Sequence, residues 1–383
     1  LGPISRGANF SSGDPDISTD GRYIAFSSWA TNLVSGDTID KRDVFVFDRQ
    51  TGRTDRVSVH SSGAQAQADS VYPSISDDGR FVAFKSPATN LVDNDTNAKW
   101  DIFVRDRQSG QTIRVSVDSN GVQGNQDSHE PAISANGRFV AFQSDADNLV
   151  IQDHNNVSDV FVHDQQTGLT ERISVEFNGL EANGGSYKPT LSANGQYGAF
   201  TSRASNLVSG DANGWGDIFV YDRQNGLTER ISIDSNGSEA NGDSWTPVIS
   251  ADGRFVAFDS DASNLVSGDT NNTADVFVHD RQTGLTFRAS VNSNGEQSNG
   301  VSSQAAISGD GRFVAFSSSA GDLVAEDTNE KTDVFIHDNQ TGLTELASVG
   351  SNGAISNGYS YDPSLSGDGT YIAFDSIATN LVS

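Results

Sequence analysis

One nine-residue stretch recurs seven times along this chain, always at the same spacing. It runs from Ser250 to Phe258 and reads Ser-Ala-Asp-Gly-Arg-Phe-Val-Ala-Phe. Successive copies are 58 residues apart, with no insertion or deletion between them. The other copies occupy residues 18–26, 76–84, 134–142, 192–200, 308–316 and 366–374. A repeat of this length is one supersecondary unit whose neighbours complete its core, so the chain is predicted to be an array of such units.

Strand patterns fill each repeat, and we find no helical period. In the copy that begins near residue 247, Pro247–Ser250 and Arg254–Phe258 are predicted strands that flank a tight Asp-Gly turn. Asp275–Val278 and Thr286–Val291 are the third and fourth predicted strands, and residues 280–284 form the hairpin turn between them. A Leu-Val pair in the long loop after the second strand recurs in all seven copies and is predicted to plug the core.

Four antiparallel strands per repeat are typical of a β-propeller blade. A β-solenoid is the alternative, but its coils are usually shorter and stack in parallel. We predict an all-β protein, a single propeller domain over residues 1–383, with blades beginning near residues 15, 73, 131, 189, 247, 305 and 363.

The Ser-x-Asp-Gly-x-x-Val-Ala-Phe core resembles the TolB-type, WD40-like propeller repeat called PD40, a bacterial family. The resemblance covers nearly the whole chain and implies the propeller fold. It leaves the function open, because that family supplies scaffolds, receptors and enzyme-associated domains alike.

The number of blades follows from the length. The chain is 23 residues short of seven full repeats, and its last copy stops after the second strand. We predict seven blades, the last one strand short, with Pro3–Arg6 joining that blade as a strand and so closing the ring. Six blades with an additional half-blade are the alternative.

Composition limits the partners and the compartment. A net charge of −27 argues against binding to nucleic-acid backbone, and no apolar run is long enough to insert into a membrane. Cysteine and methionine are both absent, so we expect a processed chain or a fragment of a larger protein. We therefore expect an extracellular or periplasmic protein that is a monomer or part of a larger chain.

The loop between the second and third strands carries an Asp-x-Asn-x-x-x-Asp pattern. Calcium prefers six to eight oxygen ligands, and this pattern supplies carboxylate and amide oxygens without a recurring His or Cys. We predict about one calcium ion for each complete blade. The alternative is that these side chains only stabilise the loop turns. The candidate ligands are Asp37, Asp40, Asp43, Asp95, Asn97, Asp101, Asp153, Asn155, Asp159, Asp211, Asn213, Asp217, Asp269, Asn271, Asp275, Asp327, Asn329 and Asp333; Ile39 replaces Asn in the first copy.

A second set of aspartates lies five residues after the loop aspartates. Since a strand rises by about 3.3 Å per residue, they are roughly 16 Å from the predicted metal sites. We interpret them as hairpin-turn residues: Asp48, Asp106, Asp164, Asp222, Asp280 and Asp338.

Side chains vary between copies just before the first strand and in the loop after the second. Variable side chains on a constant scaffold are typical of recognition sites, and aromatic rings there suit a glycan or a peptide. The alternative is that the rings only seal the mouth of a central channel. The candidate ligand-binding residues are Trp29, His129, Tyr187, Arg203, Trp245 and Tyr361.

No catalytic set stands out, so we predict no enzymatic activity and no catalytic residues. His163, His279 and His337 share one strand position, and no Gly-x-Ser-x-Gly motif is present. A calcium-dependent polysaccharide lyase that uses Lys188 and the variable residues is the enzymatic alternative. The sequence thus predicts a secreted, calcium-stabilised propeller that binds or scaffolds a protein or glycan partner, with a lectin or lyase as the alternative.

Overall fold

The computed structural model describes residues 7–382 and divides the chain into two compact units, residues 1–173 and 174–383. All of its regular elements are β-strands, arranged as six four-stranded antiparallel sheets and one two-stranded sheet. Within the described residues there is no helix long and apolar enough to cross a membrane.

The first unit contains three complete blades. Each is a meander in which the four strands pair in chain order. Its strands are β1 Ser12–Ile17, β2 Tyr23–Ser28, β3 Asp43–Asp48, β4 Arg53–Arg56, β5 Val71–Ile75, β6 Phe81–Ser86, β7 Asp101–Asp106, β8 Gln111–Arg114, β9 Ser128–Ile133, β10 Phe139–Ser144, β11 Asp159–Asp164 and β12 Thr170–Arg172.

The second unit contains three further complete blades and the two-stranded sheet. Its strands are β13 Ser186–Leu191, β14 Tyr197–Ser202, β15 Asp217–Asp222, β16 Leu227–Arg230, β17 Ser244–Ile249, β18 Phe255–Ser260, β19 Asp275–Asp280, β20 Leu285–Arg288, β21 Ser302–Ile307, β22 Phe313–Ser318, β23 Asp333–Asp338, β24 Thr344–Leu346, β25 Ser360–Leu365 and β26 Ile372–Ser376.

The Ser-x-Asp-Gly turn joins the first two strands and also fits one blade against the next. Ser308 Oγ donates to Asp310 Oδ1 at 2.7 Å, and Asp310 Oδ1 accepts the amide of Arg312. Gly311 has φ +74°, and a Cβ there would lie 2.2 Å from the Phe255 ring of the preceding blade. Glycine is therefore needed both for the left-handed backbone and for the close packing.

Paired phenylalanines form the centre of each blade. Phe258 on the second strand lies opposite Phe277 on the third, with ring centroids 6.0 Å apart. Val256, Ala257 and both phenylalanines are fully buried, because neighbouring blades cover both faces of the sheet. The predicted plug residue Leu265 is 1% exposed and joins the same cluster.

The prediction of seven blades was wrong in number. The structure has six complete blades, and the seventh repeat forms only the sheet of β25 and β26, as in the half-blade alternative. The reason is that the seventh repeat contributes only its first two strands to the described residues. The predicted strand Pro3–Arg6 lies outside those residues, and the single-domain assignment stays a prediction.

Two strand boundaries differ from prediction for physical reasons. The first strand β17 starts at Ser244 and includes Pro247, which an edge strand tolerates because one side of it needs no ladder hydrogen bonds. The fourth strand β20 ends at Arg288 and not at Val291, since Val291 leaves the sheet to bridge Gln297.

Candidate functional site

The second aspartate of each loop begins the third strand, and in the fifth blade its oxygens accept hydrogen bonds from protein donors. In the fifth blade Asp275 is fully buried, and its Oδ1 accepts a hydrogen bond from Ser290 Oγ at 2.6 Å. Its Oδ2 accepts one from Asn271 Nδ2 at 3.1 Å. The amide oxygen of Asn271 accepts from the backbone of Thr273, so this predicted ligand points its nitrogen at the carboxylate.

An arginine from the end of the fourth strand lies between the two loop carboxylates. Arg288 Nη1 is 3.6 Å from Asp269 Oδ1 and 3.3 Å from Asp275 Oδ2. The guanidinium is almost buried, so it supplies the positive charge that the two carboxylates require.

The same arginine recurs in the first five blades. Its Nη1 lies 3.2–3.8 Å from both loop aspartates of its own blade. The five clusters are Arg56 with Asp37 and Asp43, Arg114 with Asp95 and Asp101, Arg172 with Asp153 and Asp159, Arg230 with Asp211 and Asp217, and Arg288 with Asp269 and Asp275. These residues do not fit calcium well, because a fixed cation already occupies the space between the carboxylates.

The first and fourth clusters each have a variation. In the first, Ile39 replaces Asn and Asp40 is exposed, while Gln65 Nε2 donates to Asp37 at 2.8 Å and to Asp43 at 2.9 Å, as Gln297 does to Asp269 and Asp275 in the fifth. In the fourth, Glu239 adds a third carboxylate, 2.8 Å from Arg230. Asn97, Asn155 and Asn213 each donate to the second aspartate of their loop, as Asn271 does.

The sixth blade departs from the pattern. Leu346 stands at the arginine position and Ile355 at the position of Gln297. Asp333 is fully buried and accepts from Ser348, Ser356 and Asn329, while Asp327 is 8% exposed. Within residues 7–382, no basic side chain forms an ion pair with either carboxylate. Calcium binding stays a prediction. In the sixth blade the two loop carboxylates have no arginine between them, so their negative charge suits a divalent cation.

Burial raises the pKa of several of the loop carboxylates, among them those of Asp101, Asp217 and Asp269. Desolvation raises the pKa of Asp101 and of Asp217 to about 6, against the lowering effects of their serine and arginine partners. Burial likewise raises the pKa of Asp269, and the nearby Asp275 adds to that effect. The hairpin aspartate Asp280 behaves in the opposite way, because a hydrogen bond from Arg254 lowers its pKa.

The first strand of each repeat contains a β-bulge that sequence reasoning did not find. In β17 the pairing shifts between Trp245 and Val248, and Thr246 there has φ +49°. The equivalent residue has φ between 49° and 57° in all seven repeats, although none of the seven is glycine. We call these residues the bulge row: Asp14, Tyr72, Glu130, Lys188, Thr246, Gln304 and Asp362.

In the first unit the bulge row lies beside a lysine held among rings. The Lys85 ammonium is 4.3 Å from the Tyr72 ring centroid and 5.3 Å from that of Trp100. It is also 3.4 Å from His129 Nδ1. Burial lowers the pKa of Lys85, and burial together with Lys85 lowers the pKa of His129. The predicted residue His129 therefore belongs to a polar cluster, whereas Trp29 in the same unit is only an exposed ring.

In the second unit the bulge row surrounds a buried carboxylate. Asp259 lies opposite Trp245 in the sheet and accepts a hydrogen bond from the Gln304 amide at 3.1 Å. Lys188 Nζ donates to Thr246 Oγ1 at 3.1 Å. Desolvation raises the pKa of Asp259 to about 7, while the charge of Lys188 acts to lower it.

The remaining predicted ligand residues of this unit present exposed faces. Tyr187 and Tyr361 are each 38% exposed, and the Tyr361 ring stacks on Tyr359 at 6.1 Å. Arg203 extends toward Asp243, with 3.5 Å between Nη2 and Oδ1. Lys85 and Asp259 were missed, although both stand at a position that five different residue types occupy in the seven copies.

The comparisons with known proteins identify the fold of this chain, but they do not identify its family. No protein-family model matches the chain, and no curated protein matches its sequence. An acylaminoacyl peptidase from Pyrococcus horikoshii matches with TM-score 0.58 and 12% identity, over 97% of this chain and 50% of that one. An oligogalacturonate lyase in complex with manganese matches with TM-score 0.57 and 11% identity, over 97% and 90% of the two chains.

TolB from Acinetobacter baumannii is also similar, with TM-score 0.48 and 17% identity over 85% of this chain and 63% of that one. The β-propeller domain of the Trilobed protease from Pyrococcus furiosus matches with TM-score 0.56 and 12% identity, over 94% of this chain and 89% of that one, so the resemblance to propellers of this kind is confirmed as a resemblance of fold. The expectation that the chain is not an enzyme is overturned, because its structural neighbours include a lyase and a peptidase. At these identities the propeller fold by itself does not show catalysis.

Replacement of Arg288 by leucine should reproduce the sixth-blade arrangement in the fifth blade. Two buried carboxylates would lose their cation, and we expect a loss of about 3 kcal/mol in the free energy of unfolding at pH 7. Because the pKa of Asp269 is raised in the folded state, protonation should restore part of this stability as the pH falls from 7 to 5. Urea unfolding at both pH values measures this, and equal losses would contradict the assigned role.

Replacement of Asp259 by asparagine should stabilise the protein above pH 7. The folded pKa of about 7 lies above the unfolded value, so the wild type loses stability as the pH rises from about 4 to 7. The amide carries no charge, and this part of the pH dependence should disappear. Thermal unfolding should show a Tm raised by roughly 2 °C or more at pH 8. A Tm difference that is the same at pH 4 and pH 8 would contradict the assignment.

Proposed function

We propose that this chain is a calcium-stabilised propeller of extracellular or periplasmic location that binds a protein or glycan ligand with the first strands of its repeats. The observation that carries the proposal is the bulge row. The same left-handed backbone recurs in seven repeats, at a cost of order 1–3 kcal/mol for each non-glycine residue. Its side chains nevertheless range from Asp14 and Glu130 to Lys188 and Tyr72.

A constant strained backbone with variable side chains suits recognition better than packing. Packing positions such as Phe258 and Phe277 keep their identity from blade to blade. The bulge row and its neighbours instead combine half-buried charges, such as Lys85, with exposed faces of aromatic rings, such as Tyr187. Rings of this kind stack on sugars or peptide side chains, while neighbouring charges set orientation and selectivity.

Binding through the second unit should depend on Trp245 and Tyr187. Replacing either by alanine should weaken ligand binding by about 2 kcal/mol, because aromatic anchors dominate such interfaces. Trp215→Ala is the matched control, since Trp215 is 47% exposed but lies in the acidic loop of the fourth blade. A glycan array and a panel of immobilised peptides, read for all three variants and the wild type, measure the effect. Equal binding by all four proteins would mean that the rings only seal the surface.

Calcium enters this proposal at the sixth blade, with Asp327 and Asp333 as its charged ligands. Two carboxylates without an arginine provide the negative charge that a divalent cation neutralises. So few charged ligands favour a weak site, in the range of about 10⁻⁴–10⁻³ M typical of extracellular modules. Such a site fills only where calcium is abundant, which supports a location outside the cytosol.

Calcium should raise the Tm of the wild type and have no effect on Leu346→Arg. At ten times its Kd, calcium should stabilise the folded chain by about 1.4 kcal/mol. The new arginine would occupy the same position as Arg288 in the fifth blade and would displace the ion. Scanning calorimetry and isothermal titration, each with calcium and with a chelator, test both proteins. No binding heat in the wild type, or an equal effect in the variant, would end the calcium proposal.

A further inference from the structure

A cavity of about 420 Å³ lies between the second and third blades, where their hairpin turns meet. Among the side chains that line it, Val104 is buried, and Phe81 and Ile113 are half-buried. The exposed lining side chains are all amides, those of Gln111, Asn136 and Gln166. The cavity therefore has an apolar interior and a polar mouth, and its volume is within the range of roughly 300–1,000 Å³ typical of small-molecule sites.

The equivalent place between the first and second blades holds charged side chains. Arg53 there is 2.7 Å from Asp55, and Arg107 is 3.7 Å from the same carboxylate. The guanidinium carbon of Arg107 lies 4.8 Å from the centroid of the Tyr23 ring. A long side chain of the second blade thus reaches over a ring of the first.

Around the cavity these charged residues all have neutral counterparts, 58 positions further along the chain. The replacements are Arg53 by Gln111, Asp55 by Ile113, Asp78 by Asn136 and Arg107 by Gln165. Gln165 still donates to the carbonyl oxygen of Gly137, as Arg107 does to that of Gly79. It has no guanidinium to extend over Phe81, so the shorter side chain leaves space beside that ring.

The charged residues that line the cavity are neutralised by their own partners. Asp106 accepts two hydrogen bonds from the guanidinium of Arg80. Arg138 donates two to the carboxylate of Asp164 in the same way. The cavity therefore offers apolar surface and amides but no unpaired charge, and a charged ligand would lose hydration there without gaining a counter-ion.

The fifth and sixth blades show which group fits a neutral space of this kind. Asn339 stands at the position of Gln165, and Phe287 stands at that of Ile113. The Phe287 ring packs against the same buried cluster as Phe255, the counterpart of Phe81. Where the arginine is absent in the second unit, the chain itself thus supplies an aromatic ring.

We propose that the cavity between the second and third blades binds a small, uncharged aromatic molecule with one N–H or O–H group, such as an indole or a phenol. Its ring takes the place beside Ile113 that the Phe287 side chain takes in the fifth blade. It packs against Phe81 in the offset or edge-to-face contact that aromatic pairs prefer. The N–H or O–H group donates to an amide oxygen at the mouth. The site uses neither the bulge row nor the loop aspartates, so it stands or falls independently of the proposed function.

The test titrates indole into the full chain and follows the methyl NMR signals of Ile113 and Val104. We expect saturable shifts with a Kd of about 1 mM or tighter, a reasonable affinity for a ligand of this size. Indole-3-acetate carries the same ring with a negative charge and should bind at least about tenfold more weakly. Methyl glucopyranoside is neutral but has no aromatic ring, and it should cause no shift.

Two variants copy other blades and should remove the site. Ile113→Phe introduces the ring of the fifth blade, and Ile113→Asp combined with Gln165→Arg restores the charged pair found between the first and second blades. Each should weaken indole binding at least about tenfold, read from the Val104 methyl signals. Gln108→Ala is the matched control, because Gln108 is the exposed counterpart of Gln166 between the first and second blades; this variant should bind as the wild type does.

The proposal is overturned if indole shifts neither methyl signal in the folded wild type. It is also overturned if methyl glucopyranoside binds and indole does not, or if indole-3-acetate binds as tightly as indole. Unchanged indole binding by Ile113→Phe would place the ligand elsewhere on the chain. This single apolar substitution decides the question even if the charged double variant does not fold.

Discussion

The charge balance at the start of the third strand is the interaction on which the first five blades depend. A fully buried aspartate, such as Asp275, anchors the third strand by accepting a hydrogen bond from Ser290, which lies just after the fourth strand of the same blade. An unpaired buried carboxylate would cost several kcal/mol. Arg288 compensates that charge, and because it comes from the end of the fourth strand, it also ties the two outer strands together.

This arrangement explains how an acidic chain can place carboxylates in its interior. The net charge of −27 does not by itself require bound metal. Each cluster like that of Arg288 holds two carboxylates and one guanidinium, and pairs such as Arg254 with Asp280, whose atoms lie 2.7 Å apart, are neutral. Arginines equivalent to Arg288 and Arg254 recur at defined positions of the repeat. The ion pairs that they form with aspartates account for this regular spacing.

The periodicity of the sequence was sufficient to predict the strands of each blade, but it did not predict the side-chain contacts of the candidate site. The strand patterns predicted the four strands of each blade, and the recurrence of Leu265 predicted that this side chain is buried. The partnership of Arg288 with Asp269 joins residues on different strands, and only the shared 58-residue period could have indicated it. The left-handed backbone at Thr246 was not predictable, because non-glycine residues carry no local signal for it. The number of blades was misjudged because a repeat count does not say how many strands the last repeat completes.

Copies that depart from the repeat are informative because the other copies act as internal controls. Leu346 stands where five blades have arginine, so the sixth cluster keeps its two aspartates under a different charge balance. Lys85 and Asp259 occupy one strand position that is Ser27, Gln143 or Thr201 in other blades, and burial perturbs the pKa of both. A duplicated unit needs only its packing and turn residues to fold, as Phe258 and Gly253 show by their recurrence. Substitutions that break the pattern without disturbing the blade are therefore the places where selection for a ligand, an ion or a partner could act independently of the fold.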